Sequence, residues 1–242
     1  MNAIWINHIS KYKYTPQAVT SAQKIIEIKI QRRKFLMKKY KTIISLPSTK
    51  DLTSIQRVLL YEARAGKYFW AGFSPLLPSW RNFKGRKAKS SDIANRLLDI
   101  GYHHATNTVI GILNKYDISP TLGVMHIAHA SNSAPLAYDL VEMFRADIVE
   151  AEALRFLRLK KKPMVQLQQK DIAIFINRIN NRIDRKYFLK EFHQCRSYAY
   201  YMELQILKFI KSVNHKEVFS PLHLPYRHEN RCLESKNIDI IS

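Results

Sequence analysis

From Pro135 to Leu159 the chain carries no glycine, and Leu136, Leu140, Phe144 and Ile148 recur at every fourth position. That spacing lines one face of an α-helix rather than alternating across a strand. The same period returns along most of the chain. Ile25, Ile26, Ile30 and Leu36, set among lysines and arginines, predict a basic amphipathic helix over residues 22–40. After a break containing Pro47, a second helix is expected over 52–71, which Pro75, Pro78 and Gly85 stop from continuing. Asp92 reads as the N-cap of a helix carrying Ile93, Leu97, Leu98 and Ile100 to Gly101 or beyond, followed by a short helix over 108–116. Pro135 opens the next helix, where its missing N–H costs nothing. Two more are expected over 171–182 and 186–212. With no repeat and no strand series, the expected fold class is all-α. The expected organisation is a short N-terminal arm (1–21), a multi-helix catalytic domain (22–212) and an irregular C-terminal tail (213–242).

The charge pattern narrows what such a bundle could do. The 242 residues carry a formal charge of +21, and 46% apolar content is enough to bury a core. Residues 1–50 hold eleven Lys or Arg against the single acid Glu27. Residues 136–152 hold five acids, Asp139, Glu142, Asp147, Glu150 and Glu152, against Arg145 alone. A field of this size favours polyanions, nucleic acid before an anionic membrane surface or a ribosomal partner. No apolar run spans a bilayer and residues 1–20 lack the order of a secretory signal, so the expected location is the cytoplasm. Cys195 and Cys232 stand alone and far apart, which argues against a zinc knuckle and leads us to expect reduced thiols, with Cys195 packed on a helix.

Within this basic chain, Asp139 and Glu142 share a helix face at i, i+3, and His126 stands in the turn after Gly123. Glu62 lies among Ala63, Ala65 and Gly66, small residues that let another helix come close. Each group alone has a plainer reading: a surface acid, a capping histidine, a solvated helix face. Together they are carboxylate and imidazole groups that could converge on one divalent cation, while surrounding cations hold phosphates.

The ordered segments resemble a known family. Glu62 to Phe69 reads Glu-Ala-x-Ala-small-x-Tyr-aromatic. Arg86 and Asp92-Ile93-Ala94-Asn95-Arg96-Leu97-Leu98 lead into Gly101-Tyr102. Pro120-x-x-Gly-hydrophobic-x-His ends at His126, and Leu136-Ala137-Tyr138-Asp139-Leu140-Val141-Glu142-x-Phe144-Arg145 follows. This order is similar to that of the CRISPR-associated spacer-acquisition integrases, the Cas1 endonucleases, over roughly residues 22–227. The resemblance implies a helical catalytic domain whose metal ligands are Glu62, His126 and Glu142, with Asp139 as an additional catalytic acid. It implies Mn²⁺ or Mg²⁺ as cofactor, and insertion of short DNA into a CRISPR repeat array by 3′-hydroxyl attack on a phosphodiester. It further implies a homodimer or larger assembly and a Cas2 partner. The chain departs from the family at Ala146, where proline commonly follows Phe-Arg. Where the family usually has a β-rich N-terminal domain, only residues 1–21 precede the helical part, which leads us to expect a minimal form or a fragment of a larger gene.

DNA contacts are expected from Arg81, Lys84, Arg86 and Lys87, interleaved with Phe73, Trp80 and Phe83 that could stack on unpaired bases or simply pin the loop to the core. The basic face bearing Lys29, Arg32, Arg33, Lys38 and Lys39 could track a duplex backbone. His129 could replace His126 as a ligand. Two other readings stand beside the integrase: a transposon-borne integrase of the same family, and a catalytically silent basic helical DNA-binding protein. A tyrosine recombinase using Tyr198, Tyr200 or Tyr201 lacks a paired Arg and His framework.

Overall fold

The computed structural model describes residues 3–45, 47, 52–79, 83–128, 133–160, 164 and 166–223. Its helices are α1 (Ala3–Tyr12), α2 (Pro16–Lys39), α3 (Ile55–Phe73), α4 (Ile93–Lys115), α5 (Pro135–Val141), α6 (Ala151–Leu159), α7 (Gln169–Ile183) and α8 (Tyr198–His215). Among the described residues one hairpin, β1 (Lys186–Leu189) with β2 (Gln194–Ser197), pairs antiparallel between α7 and α8. The fold class is all-α, as the apolar period predicts. α4 is central, touching α5, α6, α7 and α8, while α2 lies against α3 and against the segment between α5 and α6.

Local chemistry sets these boundaries. Thr15, Ser54, Asp92 and Ser197 cap α2, α3, α4 and α8, each accepting a backbone N–H three residues on. α8 ends on Lys216 in the left-handed region. α4 runs unbroken across the gap expected after Gly101, because that glycine faces Val149: an added Cβ would stand 2.5 Å from Val149 Cγ1. The glycine marks a close helix approach rather than a helix end.

Three expected elements differ. The arm 1–21 is folded: Trp5, Ile9 and Tyr12 are buried, and Trp5 Nε1 donates to Ser119 O at 3.0 Å. The long acid helix is interrupted after Val141 and widens into a π-helical turn over Ala146–Glu150. Residues 186–197 form the hairpin instead of starting a helix, and Cys195, expected as a reduced thiol on a helix, sits on β2 in a disulfide bond. The start of the expected tail docks on its own chain. Phe219 and Leu222 are buried; their amides donate to Ser21 Oγ and Gln205 Oε1, both at 2.8 Å. Tyr12 Oη donates to Glu217 O at 2.8 Å. Leu224 and the rest of the tail lie outside the described residues.

A candidate metal centre beside a basic cleft

The loop from Pro120 to His126 is held by one carboxylate. Asp139, fully buried on α5, accepts the backbone N–H groups of Val124 (2.6 Å) and Met125 (3.0 Å) on Oδ2, and that of His126 (3.0 Å) on Oδ1. His126 Nδ1 lies 2.6 Å from the same Oδ1. Four donors satisfy a charge that burial would otherwise make costly. Gly123 is required for a steric reason, since an added Cβ would stand 2.7 Å from Asp139 Oδ2 and 2.9 Å from His126 O. With Asp139 accepting from Nδ1, the ring carries its proton there and leaves the Nε2 lone pair free. Burial pulls the His126 pKa down, but the hydrogen bond and charge of Asp139 and the charge of Glu142 outweigh it, so the net shift is upward.

Glu142 follows the last turn of α5, 3% exposed. Its Oε1 meets Arg145 Nη1 at 2.5 Å, and its Oε2 lies 2.6 Å from Lys29 Nζ. Burial alone would raise its pKa, but Arg145, Lys29 and Arg33 hold it well below the usual carboxylate range. At that distance the Lys29 contact is a charge-assisted ion pair, and among the described residues no other donor reaches this buried oxygen. Lys29 Nζ also donates to Glu62 Oε1 at 2.5 Å. One ammonium thus sits between two carboxylates whose facing oxygens are at most about 5 Å apart.

Glu62 opens onto a cleft of about 1130 Å³, also lined by Lys67, Lys84, Lys89, Arg145 and Tyr138. Of the expected DNA contacts, Lys84, Lys87 and Lys38 are exposed. Arg86 is engaged within the chain: it donates to Asn95 Oδ1 at 3.0 Å, pairs with Asp99 and stacks on Tyr102. It staples the loop to α4. Arg32 and Arg33, expected on a DNA-tracking face, are buried against Asp147 and Glu150. Their stripe position on α2, between Ile25 and Leu36, turns them inward. Phe73 and Phe83 are buried with ring centroids 5.9 Å apart, so they pin the loop rather than meet bases. Arg81, Trp80 and His129 lie outside the described residues.

Among the described residues no three His, Cys, Asp or Glu side chains stand close enough to share a metal ion. Lys29, which holds the gap, and Arg145, stacked 4.6 Å over Tyr102, were not singled out for the metal site. Their signal was a charge on an otherwise apolar helical stripe. The donors nevertheless suit a hard divalent cation: two carboxylates that already share one cation, the Lys29 ammonium, and an imidazole whose free nitrogen is fixed by its carboxylate partner.

Residues 3–194 match the family model described as CRISPR associated protein Cas1. The CRISPR-associated endonuclease Cas1 1 of Saccharolobus solfataricus is 33% identical over 110 residues, covering 44% of this chain and 31% of that protein. The Francisella tularensis subsp. novicida protein of the same name is 26% identical over 197 residues, covering 74% and 61%. The chain therefore spans between about a third and three fifths of the length of these relatives. Among solved structures, a casposase bound to integration product superposes with a TM-score of 0.78 at 20% identity, covering 99% of this chain and 74% of that one. A Cas6-RT-Cas1–Cas2 complex gives 0.72 at 18%, covering 90% and 26%. From Glu62 through the loop of His126 to the acids of α5, the chain lies within the matched region, and it belongs to the CRISPR-associated Cas1 family.

Proposed function

We propose that the chain is a divalent-metal-dependent DNA endonuclease and integrase that joins a short DNA to a repeat-array target by 3′-hydroxyl attack on a phosphodiester. Glu62, Glu142 and His126, through Nε2, would hold Mn²⁺ or Mg²⁺. When bound, the cation supplies Lewis-acid polarisation of the scissile phosphate and lowers the pKa of the attacking hydroxyl. Asp139 keeps His126 in the required tautomer and closes the loop around it. Arg145, Lys67, Lys84 and Lys89 place positive charge where the phosphates would run. The observation that carries this reading is the Lys29 ammonium held between buried Glu142, at 2.6 Å, and cleft-lining Glu62, at 2.5 Å, which brings two carboxylates to within about 5 Å of each other beside a basic cleft.

Insertion of a duplex takes two 3′ attacks, so a homodimer or larger assembly is proposed with it, and Cas2 as a partner, in keeping with the neighbour solved as a Cas1–Cas2 complex. A transposon-borne role shares the chemistry and is favoured by one observation: the casposase structure covers 99% of the chain. The test is incubation of short duplex DNA with supercoiled target, with and without Mn²⁺. His126→Ala and Glu142→Ala should abolish joining and nicking while DNA affinity changes little, because the exposed lysines remain. Full activity in both variants would refute the assignment; joining in all of them without added metal would do the same.

A further inference from the structure

Lys29 stands out because its ammonium lies between two of the proposed metal ligands. Its side chain is 3% exposed, it sits on α2 among Ile25, Ile26 and Ile30, and it faces Glu62 Oε1 at 2.5 Å and Glu142 Oε2 at 2.6 Å. Burying a lysine without a structural purpose costs more than an apolar side chain at the same place. Here the cost is offset by separating two carboxylates that would otherwise repel at short range in a weakly screened environment.

Resting on the metal reading above, we propose that Lys29 is an internal cation that competes with the divalent metal: it holds Glu62 and Glu142 together in the metal-free protein and has to leave their gap for the metal to enter. Three features of the geometry support an exchange rather than a permanent ion pair. The ammonium meets both carboxylates through a single point charge, at 2.5 Å and 2.6 Å, with no planar two-point match to either, so a compact divalent cation can take the same place between them. Lys29 and Gly66 both line the cleft, which gives the ammonium open volume beside its present place. Arg145 keeps its own bond to Glu142 Oε1, so Glu142 retains a partner while its other oxygen changes hands. Lys29 is thus a positioning residue: it prearranges the ligands, lowers metal affinity, and after exchange brings its charge into the cleft.

The test is Mn²⁺ binding, read by the loss of the free-ion EPR signal, in the wild type and in Lys29→Met, each also with Glu142→Gln. Removing one positive charge beside a dication should tighten Mn²⁺ binding by roughly tenfold or more, and Glu142→Gln should weaken binding in both backgrounds. Melting in EDTA gives a second reading: Lys29→Met should lose stability, and Mn²⁺ should raise its melting temperature by more than it raises that of the wild type. Wild-type binding with Lys29→Met equal or weaker overturns the competition and leaves the metal reading standing. No Mn²⁺ binding by either protein removes both. If Lys29→Met does not fold, the Lys29 Nζ resonance of wild-type protein, followed by NMR as diamagnetic Mg²⁺ is added, decides the matter. A shift that saturates with the metal supports exchange; an unmoved resonance at saturation overturns it.

Discussion

One turn of α2 separates two ways of burying a charge. Arg32 donates from Nε and Nη2 to the two oxygens of Asp147, both at 2.7 Å, and Tyr198 Oη reaches the same carboxylate at 2.8 Å. Arg33 binds both oxygens of Glu150, which also accepts Tyr102 Oη at 2.9 Å. Those carboxylates are saturated. At Lys29 the pairing is divided: one ammonium is shared between two carboxylates, Glu62 at 2.5 Å and Glu142 at 2.6 Å. A planar guanidinium matches a carboxylate in two places, whereas an ammonium is a point charge that a metal ion can replace. The difference teaches that acids within one short stretch of sequence divide by how they are met: Asp147 and Glu150, each gripped by a guanidinium at two points, hold the bundle together, whereas Glu142, met at single points by Arg145 and Lys29, keeps an oxygen whose partner can be exchanged.

The comparison can be broken most easily at its structural end. Arg33→Met leaves Glu150 buried with no ionic partner and should cost about 3–5 kcal/mol, seen as a large drop in thermal stability that Mn²⁺ does not restore. Glu142→Gln also removes a buried charge met by Arg145 and Lys29, so it should lower stability in EDTA as well, but unlike Arg33→Met it should in addition lose the stabilisation that Mn²⁺ gives. An Mn²⁺ stabilisation lost in both variants, or in neither, would erase the distinction.

A smaller effect sharpens the site itself. Asp139→Asn keeps the shape but removes the charge that fixes His126, and carboxylate partners of this kind are typically worth about 10–100-fold in metal affinity. Calorimetric titration with Mn²⁺ checks it, and an unchanged affinity would detach Asp139 from the metal. The smallest expected effect lies away from both regions. Asp92 caps α4, and although burial pushes its pKa up, hydrogen bonds from Ser90 and Asn95 outweigh this and lower it below the ordinary 3.8. The cap's contribution is therefore full above about pH 4 and lost as pH falls through the lowered folded-state value. Asp92→Ala should cost about 1 kcal/mol near neutrality, with the gap to wild type closing in acid denaturation curves below pH 4.

Much of this was legible in the sequence for a physical reason. Helical period, caps at Asp92 and Pro135, and the turn at Gly123 are local signals, and they placed α3, α7, the start of α4 and the loop of His126 near where they stand. Glu62, Glu142 and His126 were singled out because motif order and the i, i+3 spacing survive in one dimension. What failed to show was set by tertiary pairing. Arg32 and Arg33 read as a solvated basic face because nothing local reveals that Asp147 and Glu150, more than a hundred residues away, fold over them. The interruption after Val141 was hidden for the same reason: the apolar stripe is continuous, and the helix widens so that both acids face α2. Trp5, Ile9 and Tyr12 did carry helical spacing, but over a stretch too short to separate a docked helix from an arm.

The central claim is that Glu142, Glu62 and His126 take a metal whereas Asp147 and Glu150 do not. Anomalous diffraction from crystals soaked in Mn²⁺ tests it most directly. The account predicts one strong peak within about 2–2.5 Å of Glu62, Glu142 and His126 Nε2, with the Lys29 ammonium displaced from the gap. Saturating Mn²⁺ with no peak there, or a peak at Asp147 or Glu150 instead, would contradict it.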